Sequence, residues 1–235
     1  RVAPERVGVV VGRGGYLNAG VARLDQRVRG AQQLVEALRS LLPDLPEETL
    51  RQVKDEFQAR LGPERPEASI GLVPNLAASR IANRLDLQGP AYTIDAACAS
   101  SLIAVEHGVD ELRSGRCDLM VVGGVHHCHD LTLWSVFTQL QALSPTGAIR
   151  PFDAEADGIL IGEGTGLFVL KRLADAERDG DRVYAVIRGT GVASDGRDSS
   201  LMSPRPEGQV RAVEMAWRAA GLDPTTVGLV EAHGT

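Results

Sequence analysis

An α/β fold, with a sheet buried on both faces, is the architecture the sequence predicts, and three observations carry it. Short β-branched or apolar runs at Arg6 to Val11, Ala91 to Ile94 and Asp118 to Gly124 lead into glycine or small residues. The segments between them place apolar residues at helical spacing. With 235 residues, 43% of them hydrophobic and 24% charged, the chain can fill one sizeable core or two small ones and is not disordered. Strand, helix, strand in alternation is the pattern of a sheet covered by helices.

Taken in order, Arg6 to Val11 delivers the chain into Gly12-Arg13-Gly14-Gly15. A dinucleotide loop would need G-x-G-x-x-G and an acid about 20 residues on, so a tight turn is the better reading. From Val21, the residues Leu24, Val28, Leu34, Val35, Leu38, Leu41 and Leu42 mark an amphipathic helix. Asp44, with Glu47 three positions later, announces a second helix carrying Leu50, Val53, Phe57 and Leu61. The stretch 44–67, which ends in a stiff charged connector, is the candidate for a peripheral helical insertion. Asn75 is a candidate cap for a helix from Leu76 to Leu85.

Gly89-Pro90 then breaks the chain, Ala91 to Ile94 forms a buried strand, and Leu102, Val105, Val109 and Leu112 recur at helical spacing. Cys98 therefore falls at or near a helix N-terminus. Unpaired N–H groups and the positive end of the helix dipole favour a thiolate there and could also hold an oxyanion. Small neighbours leave room for a substrate, much as in a nucleophile elbow. The alternative is a buried thiol packing as a small hydrophobe.

Beyond this helix, Asp118 to Gly124 is a further strand. His126, His127, Cys128 and His129 lack zinc-type spacing and a second ligand cluster, so no metal site is expected. Leu131 to Leu143 reads as helical. The glycine-rich stretch Ser144 to Gly166 carries acids beside close backbone approaches, without the lysine and hydroxyl of a phosphate loop. Leu167 to Leu170 is a strand, Ala174 to Arg178 a short helix, Val183 to Val192 a strand, and Glu207 to Ala220 a helix presenting Val210, Val213 and Trp217. Val227 to Glu231 is expected as a last strand, delivering His233 to the edge of a sheet where active sites gather.

The formal charge of −6 gives no basic footprint, which argues against a nucleic-acid partner. No apolar run reaches the roughly 18 residues of a membrane span. Three cysteines, Cys98, Cys117 and Cys128, are too sparse for a disulfide scaffold, so reduced thiols and a cytoplasmic location are expected.

A thiol at a helix start and an imidazole at a strand end suit covalent acyl chemistry. Asp95-Ala96-Ala97-Cys98-Ala99-Ser100-Ser101-Leu102 resembles the nucleophile motif of the β-ketoacyl synthases of the thiolase-like superfamily. Glu231-Ala232-His233-Gly234-Thr235 resembles their first histidine motif. Leu143 to Gly147, Arg150-Pro151-Phe152-Asp153 and Asp157 to Gly164 resemble the segments between the two.

The resemblance implies a thiolase-like layered α/β/α fold, with 1–235 forming a partial domain: its N-terminal half plus the start of the C-terminal half. It implies that Cys98 accepts an acyl chain from the phosphopantetheine arm of an acyl carrier protein, with no cofactor bound directly. His233 would stand at the decarboxylation of a malonyl-type thioester, Glu163 would be a structural acid behind the site, and Phe137 is a candidate lining residue of the acyl pocket, otherwise a core residue. A homodimer is implied as well. The Gly12-Arg13-Gly14-Gly15-Tyr16 opening and the cysteine motif look most like synthases of the polyunsaturated fatty acid or polyketide type. A second histidine in a Gly-His motif would fall past Thr235, so the gene product is expected to be longer and residues 1–235 alone inactive. Alternatives are a thiolase-type acyltransferase, for which neither Cys117 nor Cys128 sits in a matching motif, and a non-catalytic chain-length or docking partner, against which Cys98 argues.

Overall fold

The computed structural model describes residues 2–15, 19–64, 71, 73–127, 131–197 and 204–234. Strand β1 (Val7–Gly12) lies between β2 (Ala91–Ile94) and β3 (Leu119–His126), parallel to both, and β4 (Gly164–Leu170) pairs antiparallel with β3. Before the sheet is complete the chain forms α1 (Ala19–Asp25), a wide turn of π-helix (Gln26–Gly30), α2 (Ala31–Leu41), α3 (Glu47–Arg60) and α4 (Leu76–Leu85). Helix α5 (Ser100–Arg113) joins β2 to β3, and α6 (Leu131–Gln139), α7 (Leu173–Asp179) and α8 (Pro206–Ala220) follow.

The period-two alternation of β1 builds the layers. Val10 faces one way, into a cluster with Ala104 and Leu112 of α5, Cys117, Met120 and Val122. Val9 and Val11 face the other way, against Ala78 and Ala82 of α4. The sheet is thus covered by α4 on one face and α5 on the other, the α/β/α layering expected. Burying each of these valines stabilises the fold by about 1.5–3 kcal/mol.

Helix α5 approaches through small residues. Its buried positions are Ser100, Ala104, Gly108, Glu111 and Leu112; of the residues that marked the helix, Leu112 is buried and Val105 packs against the core, whereas Leu102 is 74% exposed, so the buried face is turned away from Leu102. The reason is distance: a Cβ on Gly108 would stand 2.4 Å from Val122 Cγ1, and a large side chain on this face would lift the helix off the sheet.

Other expectations need correction. Asp44 does not cap α3; the helix is entered from Pro46 with no side-chain cap, and Glu47 instead pairs with Arg39 at 2.8 Å. Asn75 precedes α4, but its Oδ1 accepts from the Thr93 N–H at 3.0 Å and its Nδ2 donates to Ser79 Oγ at 2.9 Å, so it ties the helix to β2. Strand β4 begins at Gly164, because the glycine run continues the ladder with β3. Its Phe168 and Val169 are 63% and 67% exposed, so the sheet is not buried on both faces along this edge. Neither Val183 to Val192 nor Val227 to Glu231 forms a ladder among the described residues. Apolar, β-branched composition favours a strand only where a partner supplies hydrogen bonds. Helix α8 lies against the first of these runs through Gly189 and Gly191, while its Val210 and Val213 are 54% and 55% exposed.

At the amino ends of β1 and β3, Asp118 accepts from Arg6 Nη2 at 2.8 Å and from Arg172, which also donates to the carbonyls of Leu112 and Cys117 at 2.9 and 2.8 Å. The Arg6 and Arg172 guanidinium groups hold the Asp118 carboxyl far below the usual carboxylate range. This knot fixes the start of β3 against the end of α5.

Candidate active site

Parallel pairing of β1, β2 and β3 puts their carboxyl ends on one edge, and the antiparallel β4 starts there, with Gly164 opposite His126. The glycine loop after β1, Cys98 after β2, His126 and His127 at the end of β3, and Glu163 before β4 are therefore brought together by register alone. Cys128 and His129 lie outside the described residues, as do Tyr16 and Thr235.

Cys98 is exposed, two residues ahead of α5. The corner that presents it is strained: Ala97 has φ 50°, in the left-handed region that non-glycine residues seldom adopt. Two side chains hold it. Asp95 Oδ1 accepts from the Ala97 N–H at 3.0 Å while Oδ2 accepts from the Gly15 N–H at 2.7 Å. Ser100 Oγ accepts from the Ala96 N–H at 2.9 Å and donates to the Ala97 carbonyl at 2.6 Å. The glycine loop is thus tied to the thiol corner by a protein carboxylate. The N–H groups of Ala99 and Ser100 close onto Ala96 and Ala97, and that of Cys98 makes no hydrogen bond among the described residues. An exposed sulfur can attack a carbonyl, and the N–H beside it can donate a hydrogen bond to the resulting oxyanion.

Close approach sets the height of this corner. A Cβ on Gly12 would stand 2.4 Å from the carbonyl carbon and oxygen of Ser100, and one on Gly124 would stand 2.7 Å from Ser101 Cβ. The first turn of α5 therefore rests directly on the ends of β1 and β3. Cys117, by contrast, is fully buried, and burial pushes its thiol up.

The loop 144–150 folds onto Asp157. Its Oδ1 accepts from Ser144 Oγ and its Oδ2 from Thr146 Oγ1, both at 2.6 Å, and Arg150 Nη1 stands 3.6 Å from Oδ1. The Ser144 and Thr146 hydroxyls, with Arg150, hold this carboxyl below its ordinary range. A short parallel bridge, Leu143 to Ile159, runs alongside.

His233 is exposed, on a run with no strand partner among the described residues, and it shares no hydrogen bond with Cys98. The structure instead brings its neighbour Gly234 against the Arg150–Asp153 turn, where a Cβ would lie 3.3 Å from Pro151 Cβ. Phe137 is half-buried on α6, and Glu163 is exposed. Sequence reasoning assigned no role to Asp95 or Asp157. An Asp two residues before a turn amide, and an Asp-Gly with hydroxyls 11 and 13 positions earlier, were the only signals, and both are common in loops. Among the described residues no cluster of His, Cys, Asp or Glu is arranged to hold a metal, and no helix is long and apolar enough to cross a membrane.

A layered α/β fold with a strained, exposed cysteine at the carboxyl edge defines a class of acyl-transferring proteins. The N-terminal domain of the β-ketoacyl synthases matches residues 47–176 and their C-terminal domain residues 184–235, so the chain belongs to the β-ketoacyl synthase family. It is 47% identical over 161 residues, 68% of its length, to a phenolphthiocerol/phthiocerol polyketide synthase of Mycobacterium bovis. It is 40% identical over 191 residues, 81% of its length, to a polyunsaturated fatty acid synthase of a Thraustochytrium species. The matches span 9% and 7% of those relatives. Among solved structures, the ketosynthase of module 6 of the bacillaene synthase from Bacillus subtilis superposes with a TM-score of 0.75 at 28% identity, over 98% of this chain and 33% of that one. The ishigamide ketosynthase/chain length factor gives 0.72 at 26% identity, over 98% and 50%. The chain is thus a ketosynthase region similar to those of the polyketide and polyunsaturated fatty acid synthases.

Proposed function

We propose that the protein condenses a Cys98-bound acyl chain with a malonyl-type thioester, the observation that carries this being the exposed thiol beside its own open N–H on a strained corner. In the first half, Cys98 Sγ, as thiolate, attacks the carbonyl of an acyl thioester. The tetrahedral oxyanion is held by backbone N–H groups at the corner, and its collapse expels the carrier's thiolate, which takes up a proton. In the second half, the extender carboxylate leaves as carbon dioxide. Its electron pair becomes the enolate of the thioester, whose oxygen takes a hydrogen bond from the His233 imidazole. The enolate carbon then attacks the Cys98 thioester, forming the carbon–carbon bond of a β-ketoacyl product and releasing the Cys98 thiolate.

Both acyl groups arrive on the phosphopantetheine arm of an acyl carrier protein, which acts as substrate. Glu163 supports the site from behind, and Phe137 lines the acyl pocket from α6. Residues 1–235 form one partial ketosynthase domain in which 44–67, its last three residues outside the described ones, is a peripheral element, a reading supported by the packing of α3 on α2. The protein works as a homodimer in the cytoplasm, where Cys98 stays reduced.

Mass spectrometry after brief exposure to a thiol-directed acyl mimic tests the reading. Cys98 should be labelled well before Cys117 and Cys128, and Cys98→Ala should release no carbon–carbon condensation product. Equal labelling of all three thiols would favour a non-catalytic scaffold.

A further inference from the structure

We infer that Asp157 is a positioning residue for His233, acting through the Arg150–Asp153 turn. The inference rests on the reading of His233 as the group that holds the extender thioester.

Asp157 takes the Ser144 and Thr146 hydroxyls on its two oxygens, and Thr146 Oγ1 in turn accepts from Arg150 Nη1 at 3.1 Å, so the carboxylate and the guanidinium share one hydroxyl as well as their mutual charge. The direction of the carboxylate is fixed by backbone too. Gly158 lies so close to the preceding loop that a Cβ there would stand 2.5 Å from Ser144 N, and its φ of 148° suits glycine alone.

Arg150 opens a turn closed by the Asp153 N–H donating to the Arg150 carbonyl at 3.2 Å. Inside it Phe152 sits at φ 65°, in the left-handed region that bulky residues seldom adopt, with the residue 85% exposed. The other side of the turn meets the His233 segment. A Cβ on Gly234 would lie 3.3 Å from Pro151 Cβ and 3.9 Å from the Phe152 ring, and Gly234 is itself left-handed at φ 68°. Residues 227–231 have no strand partner among the described residues, and the approach of Gly234 to Pro151 ties the His233 segment to the turn. The path is short: carboxylate to Arg150 and Thr146, turn to Gly234, Gly234 to His233.

The test compares Asp157→Asn and Asp157→Ala with the parent in the complete protein, reading the two half-reactions separately. Acyl transfer to Cys98 is followed by intact mass, and carbon dioxide release from a malonyl thioester by a coupled assay. Hydrogen exchange at 150–153 and 231–234 is measured alongside. A displacement near 1 Å at a reacting group costs on the order of 100-fold, so decarboxylation should fall by about that factor in Asp157→Ala and less in Asp157→Asn, which keeps one acceptor oxygen. Acylation of Cys98 should hold at the parent rate, and exchange at 231–234 should rise. Equal loss in both half-reactions, or decarboxylation at the parent rate, overturns the proposal. If Asp157→Ala does not fold, Thr146→Val removes one hydroxyl only and must give the same split between half-reactions. His233→Ala separates the two ideas. Decarboxylation at the parent rate in that variant sinks the reading of His233, and exchange then decides the positioning: unchanged protection at 231–234 in the Asp157 variants overturns it.

Discussion

Gly12→Ala is the most demanding perturbation of the thiol corner. The added methyl carbon would lie 2.4 Å from two backbone atoms of Ser100 and 2.6 Å from Ser101 N, against an ordinary contact of 3.4 Å or more, so about 1 Å must be found. None of the three atoms is the end of a flexible side chain. Gly12 is also the last residue of β1, paired with both Ile94 and Gly124, so the strand cannot retreat without breaking its ladders. The first turn of α5 has to lift instead. Overpacking of this kind costs about 1–3 kcal/mol. In a domain of this size each kcal/mol lowers Tm by roughly 2–4 °C, so a fall of about 2–12 °C is expected by calorimetry. Cys98 moves with the turn, and its rate of acyl transfer should drop on the order of 100-fold for a 1 Å displacement. Gly164→Ala in β4 is the matched control, since its methyl would meet nothing. If Gly12→Ala melts with the control and acylates Cys98 at the parent rate, the claim that helix height sets the nucleophile is wrong.

Three further outcomes are expected. Asp118 is held ionised by Arg6 and Arg172, so its contribution is present above the ordinary carboxylate value of 3.8 and is lost as pH falls from there through its lowered folded value; Asp118→Asn should lower Tm at pH 7, and the gap from the parent should close in melts taken at successively lower pH below about 4. Leu50 is 2% exposed, and Leu50→Ala should destabilise by about 2–5 kcal/mol in urea melts yet leave Cys98 labelling unchanged, because α3 packs mainly on α2. Cys117 should react with an alkylating reagent only after denaturant is added, since burial both shields the thiol and raises its pKa; labelling at the rate of Cys98 in native buffer would contradict the packing of α5 on the sheet.

Local chemistry was legible in the residues themselves. The strands Val7–Gly12, Ala91–Ile94 and Leu119–His126 follow from β-branched runs bounded by glycine and small residues, and the helices from apolar spacing, because each depends on neighbours a few positions away. The cysteine corner was legible for the same reason: a strand, small residues and a helix fix where Cys98 falls. What the chain alone could not show is which partners the pattern meets. Asp44 and Asn75 have the right type to cap a helix, yet Pro46 takes one place and Asn75 is drawn off by the Thr93 N–H, 18 residues away. Val183 to Val192 and Val227 to Glu231 have strand composition without a ladder among the described residues, since a hydrogen-bond partner is a property of the fold and not of the segment. The buried face of α5 belongs to Ala104 and Gly108, not Leu102, because the distance between helix and sheet decides which side chains fit. Sequence therefore determined the α/β class, the thiol at a helix start and the family motifs. Only tertiary structure decided that Asp95 ties the glycine loop to the thiol corner, that Ser144 and Thr146 meet Asp157, and that two close glycine contacts seat the first turn of α5, since the chain carries no signal of these meetings in space.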